Sequence, residues 1–453
     1  MIHTAARHEG TPRARLSAAA LVLALAACSG PADDPAPAGR APAAPAAPMP
    51  RNLLVVLVDT WRADAAGFAG AKRALTPELD RWAAGGVVFE RATTPSGWTR
   101  PAVVSLFTGL YPATHGVQDK DHVAPDELVT LAEVLRARGW HTSAFVTNYA
   151  ASDDFGLDQG FEQFRFFEPE RAPRPVRGRN YWSIGEIDPE VGAFLSGPPA
   201  EPFFAYIHTT DPHYPYVPPD EYRRFGSDPR DLYDGEVRYT DHVVATWLER
   251  LRRSGALERT VVVLTADHGE EFHEHGGEGH GITVFEECVR VPLVVWAPGL
   301  RPGRRDALVS LADLAPTLLE ALGVSRPPEF AWQGRSFWPV ATGLDPGRAW
   351  SWAYSELVYP SKGVAFAYRE GPDKVVRIAH DIRGRKDIAY LFRVADDPFE
   401  QTDLKAREPE RFRELLARMD AIRREHVARA IAPERRELEG RARDRMKGLG
   451  YVD

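Results

Sequence analysis

Apolar residues fall along this chain in short unbroken runs separated by longer amphipathic stretches. Asn52-Leu53-Leu54-Val55-Val56-Leu57-Val58 is one such run, the pattern of a strand buried on both faces of a parallel sheet. Phe203–Ile207, Thr260–Leu264 and Val291–Trp296 repeat it. Helical spacing occupies the intervals, at Pro77–Ala84, Leu128–Arg138, Glu236–Ser254 and Ala312–Leu322. Such alternation predicts an α/β fold over residues 51–350: a doubly wound, mostly parallel sheet flanked by helices. Residues 165–180, rich in Arg and Pro without a period, predict a surface insertion. Beyond residue 350 the runs shorten and alternate (Val364–Tyr368, Lys374–Ile378, Tyr390–Val394), and a charged helix follows over Glu408–Ala430. Residues 351–453 therefore predict a small antiparallel C-terminal subdomain.

The N-terminus has a different pattern. Arg7, Arg13 and Arg15 precede the apolar run Leu16–Ala27, which stops at Cys28. That run is too short for a permanent membrane span but suits the apolar region of an export signal. Leu25-Ala26-Ala27-Cys28 resembles a bacterial lipobox, which implies a signal over residues 1–28 and lipid attachment at Cys28. Residues 29–50 are nearly all Pro, Ala, Gly and Asp and predict an extended tether. The expectation is an exported protein held by lipid in the bacterial cell envelope.

Hydrophobic residues make up 44% and charged residues 26%, which excludes wholesale disorder and a polytopic membrane protein. The net charge of −8 gives no reason to expect a nucleic-acid partner. The 2 cysteines cannot build a thiolate metal site.

In doubly wound sheets, ligands gather beyond the carboxyl ends of the strands. Asp59 follows the first run, His208 to His213 follow another, and Asp267-His268 follow a third. Carboxylate beside imidazole favours Zn²⁺ or Mn²⁺ over Ca²⁺, which prefers oxygen alone. The Glu270–His280 loop, with His273, His275 and His280, offers donors for a second metal. Its other reading is a hydrated loop capped by glycines.

Several motifs then occur in a fixed order. They are Asp59-Thr60-Trp61-Arg62, Thr99-Arg100-Pro101, Thr108-Gly109-Leu110-Tyr111-Pro112, Asp211-Pro212-His213, Asp267-His268-Gly269 and Val289-Arg290-Val291-Pro292. With them, residues 51–453 resemble the sulfatase family of the alkaline phosphatase superfamily. The resemblance implies Asp59, Thr99, Asp267 and His268 as ligands of one divalent metal ion. It implies Thr99, His213 and Arg100 as catalytic residues, with His213 protonating the leaving group. It also implies His280 and Asn148 as substrate contacts.

Family members carry Cys or Ser in a Cys-x-Pro-x-Arg context and oxidise it to formylglycine. Here Thr99 holds that place and Val103 stands where arginine belongs, so no formylglycine is expected. Thr60 replaces a second aspartate. Threonine is nevertheless a nucleophile in related phosphoryl-transfer enzymes, where metal ligation lowers the hydroxyl pKa.

The leading expectation is a metal-dependent hydrolase of phosphate or sulfate esters of a sugar, lipid or aryl alcohol, working through a covalent Thr99 intermediate. Three alternatives stand beside it: a sulfatase in the strict sense, a phosphoryl transferase to a lipid or glycan hydroxyl, and an inactive binding protein on the same fold.

Overall fold

The first apolar run folds as read. In the computed structural model β1 spans Asn52–Val58, every residue buried. The structure describes residues 50–451 except 174–178, 329–331, 346, 348–350, 360 and 383. The signal, Cys28 and residues 29–49 of the tether lie outside the described residues.

Seven further strands complete the main sheet: β2 (Val87–Thr93), β3 (His141–Val146), β4 (Gln163–Phe166), β5 (Phe203–Thr209), β6 (Thr260–Thr265), β7 (Leu293–Trp296) and β8 (Gly303–Ser310). Their order is β8-β2-β7-β6-β1-β5-β3-β4. Only β7 breaks the parallel pattern, running antiparallel to both β2 and β6. The expected surface insertion needs correcting at its start: Arg165 and Phe166 pair in parallel with β3 as the end of edge strand β4. A four-residue edge strand carries too short an alternation to announce itself.

Helix boundaries follow their caps. The helix expected from Leu128 starts at Leu131, where Thr130 and Glu133 close a reciprocal capping box that satisfies two free N–H groups. The long helix runs over Pro229–Arg253, well ahead of the expected Glu236. Pro229 sits at its first position, where a missing N–H costs nothing.

A second sheet, β9 (Trp352–Tyr359), β10 (Gly363–Glu370), β11 (Asp373–Asp381) and β12 (Lys386–Arg393), is antiparallel in sequence order. The helix Pro409–Ala428 buries Leu415 and Met419 against Tyr354, Phe366 and Tyr368 of this sheet, an i, i+4 pair on one helix face. The described residues from Pro50 onward fall in one compact unit that includes the small sheet. Buried ion pairs tie the small sheet to the short helix Glu286–Val289 that leads into β7. Lys374 Nζ lies 2.9 Å from Glu286 and 3.0 Å from Glu400, and Arg369 lies 3.2 Å from Glu286. β1, β5 and β6 are neighbours at the middle of the main sheet, so their carboxyl ends open onto one place.

Candidate active site

That place is lined with donors. Asp59 follows β1 directly, His208 is next to last in β5 and pairs with Leu57 in register, and Asp267 lies just past β6. One side-chain atom from each of Asp59, His208 and Asp267 lies within 4.8 Å of the others. All three residues are 0% exposed, and Asp59 Oδ1, His208 Nε2 and Asp267 Oδ2 have no hydrogen-bond partner. Orphaned buried polar atoms converging on one point are costly, and a divalent cation among them removes that cost. The residues fit a metal ion.

His268 completes the set. Its Nδ1 lies 2.8 Å from the Gly269 carbonyl, so Nδ1 carries the proton and Nε2 keeps its lone pair. Nε2 lies 3.2 Å from Thr99 Oγ1, 3.3 Å from Asp267 Oδ2 and 3.7 Å from Asp59 Oδ1. A backbone carbonyl fixing the far nitrogen of a ligand histidine is the arrangement metal sites use.

Thr99 opens the helix Thr99–Thr108, preceded by extended Trp98. At the first helical position its Oγ1 stands in the positive end of the helix dipole, which favours an anion. Its neighbours are His268, the Tyr451 hydroxyl at 2.8 Å and Asn148 Nδ2 at 3.5 Å. Thr99 is itself 0% exposed.

The local electrostatics oppose one another. Burial works against the charge of Asp59, yet the 3.5 Å contact with His208 and the imidazoles of His213 and His268 hold its carboxyl below the usual range. Burial and the neighbouring Asp59 charge push Asp267 up to about 6. Burial also disfavours charge on His268, but Asp267 and Asp59 outweigh it and raise the imidazole. Two carboxylates this close resist ionising together without a cation.

The other expected residues divide. Arg100 is not at the reaction centre, which corrects the sequence reading. Its Nε donates to the Ala150 carbonyl and its Nη1 to those of Asp119, Lys120 and His122. The guanidinium also lies 3.4 Å from the Phe155 ring centre. One residue along a helix points about 100° away, so Arg100 fastens a loop while Thr99 faces the donors. Asn148 is in the cluster, but its Nδ2 donates to Asp59 and its Oδ1 accepts from Ala150 N. It orients Asp59.

His213 reaches the centre with the opposite proton inventory from the one expected of a leaving-group acid. Its Nδ1 lies 2.6 Å from the Tyr214 carbonyl and holds the proton, while the buried Nε2 has no partner. Burial lowers it to about 4, so at neutral pH it accepts rather than donates. His280 faces the centre, its ring centre 4.5 Å from that of His268. Its Nδ1 meets Glu270 at 2.9 Å and its Nε2 meets the Tyr451 hydroxyl at 3.2 Å. His275 turns elsewhere, pairing with Glu287 at 2.7 Å and stacking on Phe285 at 3.6 Å.

Sequence reading placed the segment His208–His213 at the centre but assigned only His213. His208 gave no signal of its own, because every position of its strand is buried and only the strand order sets it beside β1. Tyr451 gave no signal at all, being 352 positions from Thr99.

A family model described as Sulfatase matches residues 51–324. The chain is 25% identical over 324 residues to the ulvan-active sulfatase of Formosa agariphila, covering 62% of this chain and 63% of that one. It is 23% identical to the Delta 4,5-hexuronate-2-O-sulfatase of Bacteroides thetaiotaomicron, covering 84% and 89%. The chain thus spans just under two thirds of the ulvan-active relative's length and most of the hexuronate enzyme's. Among solved structures, the phosphonate monoester hydrolase of Agrobacterium radiobacter superposes with a TM-score of 0.69 at 20% identity, covering 85% of this chain and 100% of that one.

Proposed function

The chain belongs to the sulfatase family, and on that premise we propose that it is a metal-dependent ester hydrolase that forms a covalent intermediate on Thr99. Phosphate esters are its preferred substrates, ahead of sulfate esters. One observation carries the reading: a helix-N-terminal hydroxyl lies 3.2 Å from His268 Nε2, beside three unpartnered donors from three adjacent strand ends.

Asp59, His208, Asp267 and His268 would hold the ion, and two imidazoles among the donors suit Zn²⁺ or Mn²⁺ better than Ca²⁺. When bound, such an ion supplies the positive charge that lowers a hydroxyl pKa and offsets the charge of an anionic ester. The protein's own residues do the rest. The helix dipole beneath Thr99 favours the alkoxide and the incoming anion. Asn148 holds Asp59 in place through its amide. His213 Nε2 is positioned to accept a proton, and it becomes a leaving-group donor only after taking one up. Full burial of the cluster excludes bulk water and strengthens each of these interactions.

Thr99 decides between the two ester classes. Formylglycine clears its sulfate by elimination from an aldehyde hydrate, which needs a second hydroxyl on the same carbon. Threonine has one. A sulfated Thr99 must wait for direct attack by water, whereas displacement at phosphorus is well suited to that route. The relatives named as sulfatases and the phosphonate monoester hydrolase show that this fold serves both chemistries.

A panel of 4-nitrophenyl phosphate, bis(4-nitrophenyl) phosphate, a phosphonate ester and 4-nitrophenyl sulfate tests the order. The expected result is a phosphorus ester turning over at least about tenfold faster than the sulfate, with all activity lost to a chelator and restored by Zn²⁺ or Mn²⁺. Fastest turnover on the sulfate would overturn it.

We also assign Cys28 as the lipid-bearing residue that keeps the enzyme in the envelope. Cys28→Ala is expected to move the protein from the membrane to the soluble fraction with kcat/KM unchanged. Membrane retention of the variant would remove the assignment.

A further inference from the structure

Tyr451 sits where an ester has to sit. Its hydroxyl is 2.8 Å from Thr99 Oγ1 and 3.2 Å from His280 Nε2. Its ring lies 5.3 Å from Trp98 and 5.5 Å from His280, centre to centre. The residue is only 1% exposed. Attack requires the reacting atom at about 3–3.5 Å from the nucleophile, with the leaving oxygen beyond it in line. The volume in front of Thr99 that this demands is now filled by Tyr451 Oη.

The backbone around Tyr451 is held independently of the reaction centre. The Tyr359 hydroxyl donates to the Tyr451 carbonyl, and Lys362 Nζ donates to that of Gly450. Both anchors belong to β9 and the turn after it. The preceding helix, Gly440–Gly448, ends in a tight reversal. Gly450, at φ +72°, donates to Lys447 and Tyr451 N donates to Met446. A Cβ at Gly450 would meet nothing within 4 Å, so Gly450 faces open space while Leu449 and the Tyr451 ring on either side of it are enclosed.

We propose that Leu449–Tyr451 is an internal stopper of the reaction centre: Tyr451 occupies the leaving-group side of Thr99, and an ester enters only when this segment withdraws. Opening breaks the two hydroxyl contacts and the two carbonyl anchors, draws Leu449 out of the core, and uncovers His280 and Trp98 together with Thr99. The affinity for any anion in front of Thr99 is then reduced by the fraction of molecules that are open.

The proposal rests on Thr99 as the reacting group, so its test uses binding rather than turnover. Calorimetric titration of the metal-loaded protein with inorganic phosphate compares the native chain with Tyr451→Ala, Tyr451→Phe and Tyr359→Phe. Tyr451→Ala is expected to tighten phosphate about tenfold, as for a native chain open about one tenth of the time. Tyr451→Phe, which removes only the hydroxyl, is expected to gain less. Tyr359→Phe loosens the carbonyl anchor without altering the centre and is expected to shift affinity in the same direction. Unchanged or weaker phosphate binding in both Tyr451→Ala and Tyr359→Phe overturns the stopper. So does a kcat/KM loss above tenfold in Tyr451→Phe at unchanged phosphate affinity, which would make the hydroxyl a catalytic group. If Thr99→Ala kept full activity while these affinities still shifted, the Thr99 reading would fail, and Tyr451 would stand as a plug of the anion site but not of the leaving-group side of Thr99.

Discussion

Thr99→Ala is expected to lower kcat by about 10⁴-fold or more, the scale of loss when a covalent nucleophile is removed and only binding and field effects remain. The Tyr451 hydroxyl is the other O–H beside this position, and it belongs to the stopper rather than to the helix. Asp59, His208, Asp267 and His268 are untouched by the change, so bound metal should stay stoichiometric while turnover vanishes. Thr99→Ser keeps the oxygen and should retain activity to within about tenfold. In the native enzyme, rapid acid quench during turnover of a phosphate ester should leave a phosphoryl group on the peptide that contains Thr99. An adduct elsewhere, or an alanine variant within tenfold of native, would sink the mechanism.

The second large effect concerns the join between the small sheet and the helix Glu286–Val289. Lys374 is buried between Glu286 and Glu400, with Arg369 on the other carboxylate oxygen of Glu286. Lys374→Met removes the cation shared by two buried carboxylates, and breaking a buried pair from one side costs about 3–5 kcal/mol. The pH dependence follows from the two acids. Burial would raise Glu286, but Lys374 and Arg369 hold it at about 2. Its contribution is therefore complete above the unfolded carboxyl pKa and is lost as pH falls towards 2. Burial raises Glu400 to about 7 against the pull of Lys374, so its contribution is complete below the unfolded pKa and is lost as pH rises through 7. Without Lys374, Glu400 has still more reason to protonate. The deficit should be largest near pH 8 and shrink towards pH 5.5. Urea unfolding at both values measures it, and a loss below about 1 kcal/mol at pH 8 would show that the join is not stabilised by these charges.

What could be read in advance was whatever depends on local pattern. β1 was legible to the residue because a strand buried on both faces has no polar position to blur its ends. Asp59 and Asp267-His268 were legible because polar residues at the ends of such strands need a reason. The direction of Arg100 was not legible, since neighbours in sequence at a helix start share a motif but not a face. Asn148 and His208 needed the strand order, which sets β5 between β1 and β3 and is invisible to periodicity. His213 had the right address, but its proton inventory depended on a carbonyl at Tyr214. Tyr451 needed the whole fold.

The strand order has a kinetic consequence. β1 joins β5 and β6, so Val56 is in register with Ile207 and with Leu264. Pairings this distant in sequence carry a loop-closure cost before they return any stabilisation, and they form slowly. No fragment of the chain holds Asp59, His208 and Asp267 together before the central strands have closed, so a partly folded molecule has no site at which to gather an ion or split an ester. Ion capture should therefore lag behind the appearance of secondary structure during refolding, and activity should appear in one late step rather than by increments.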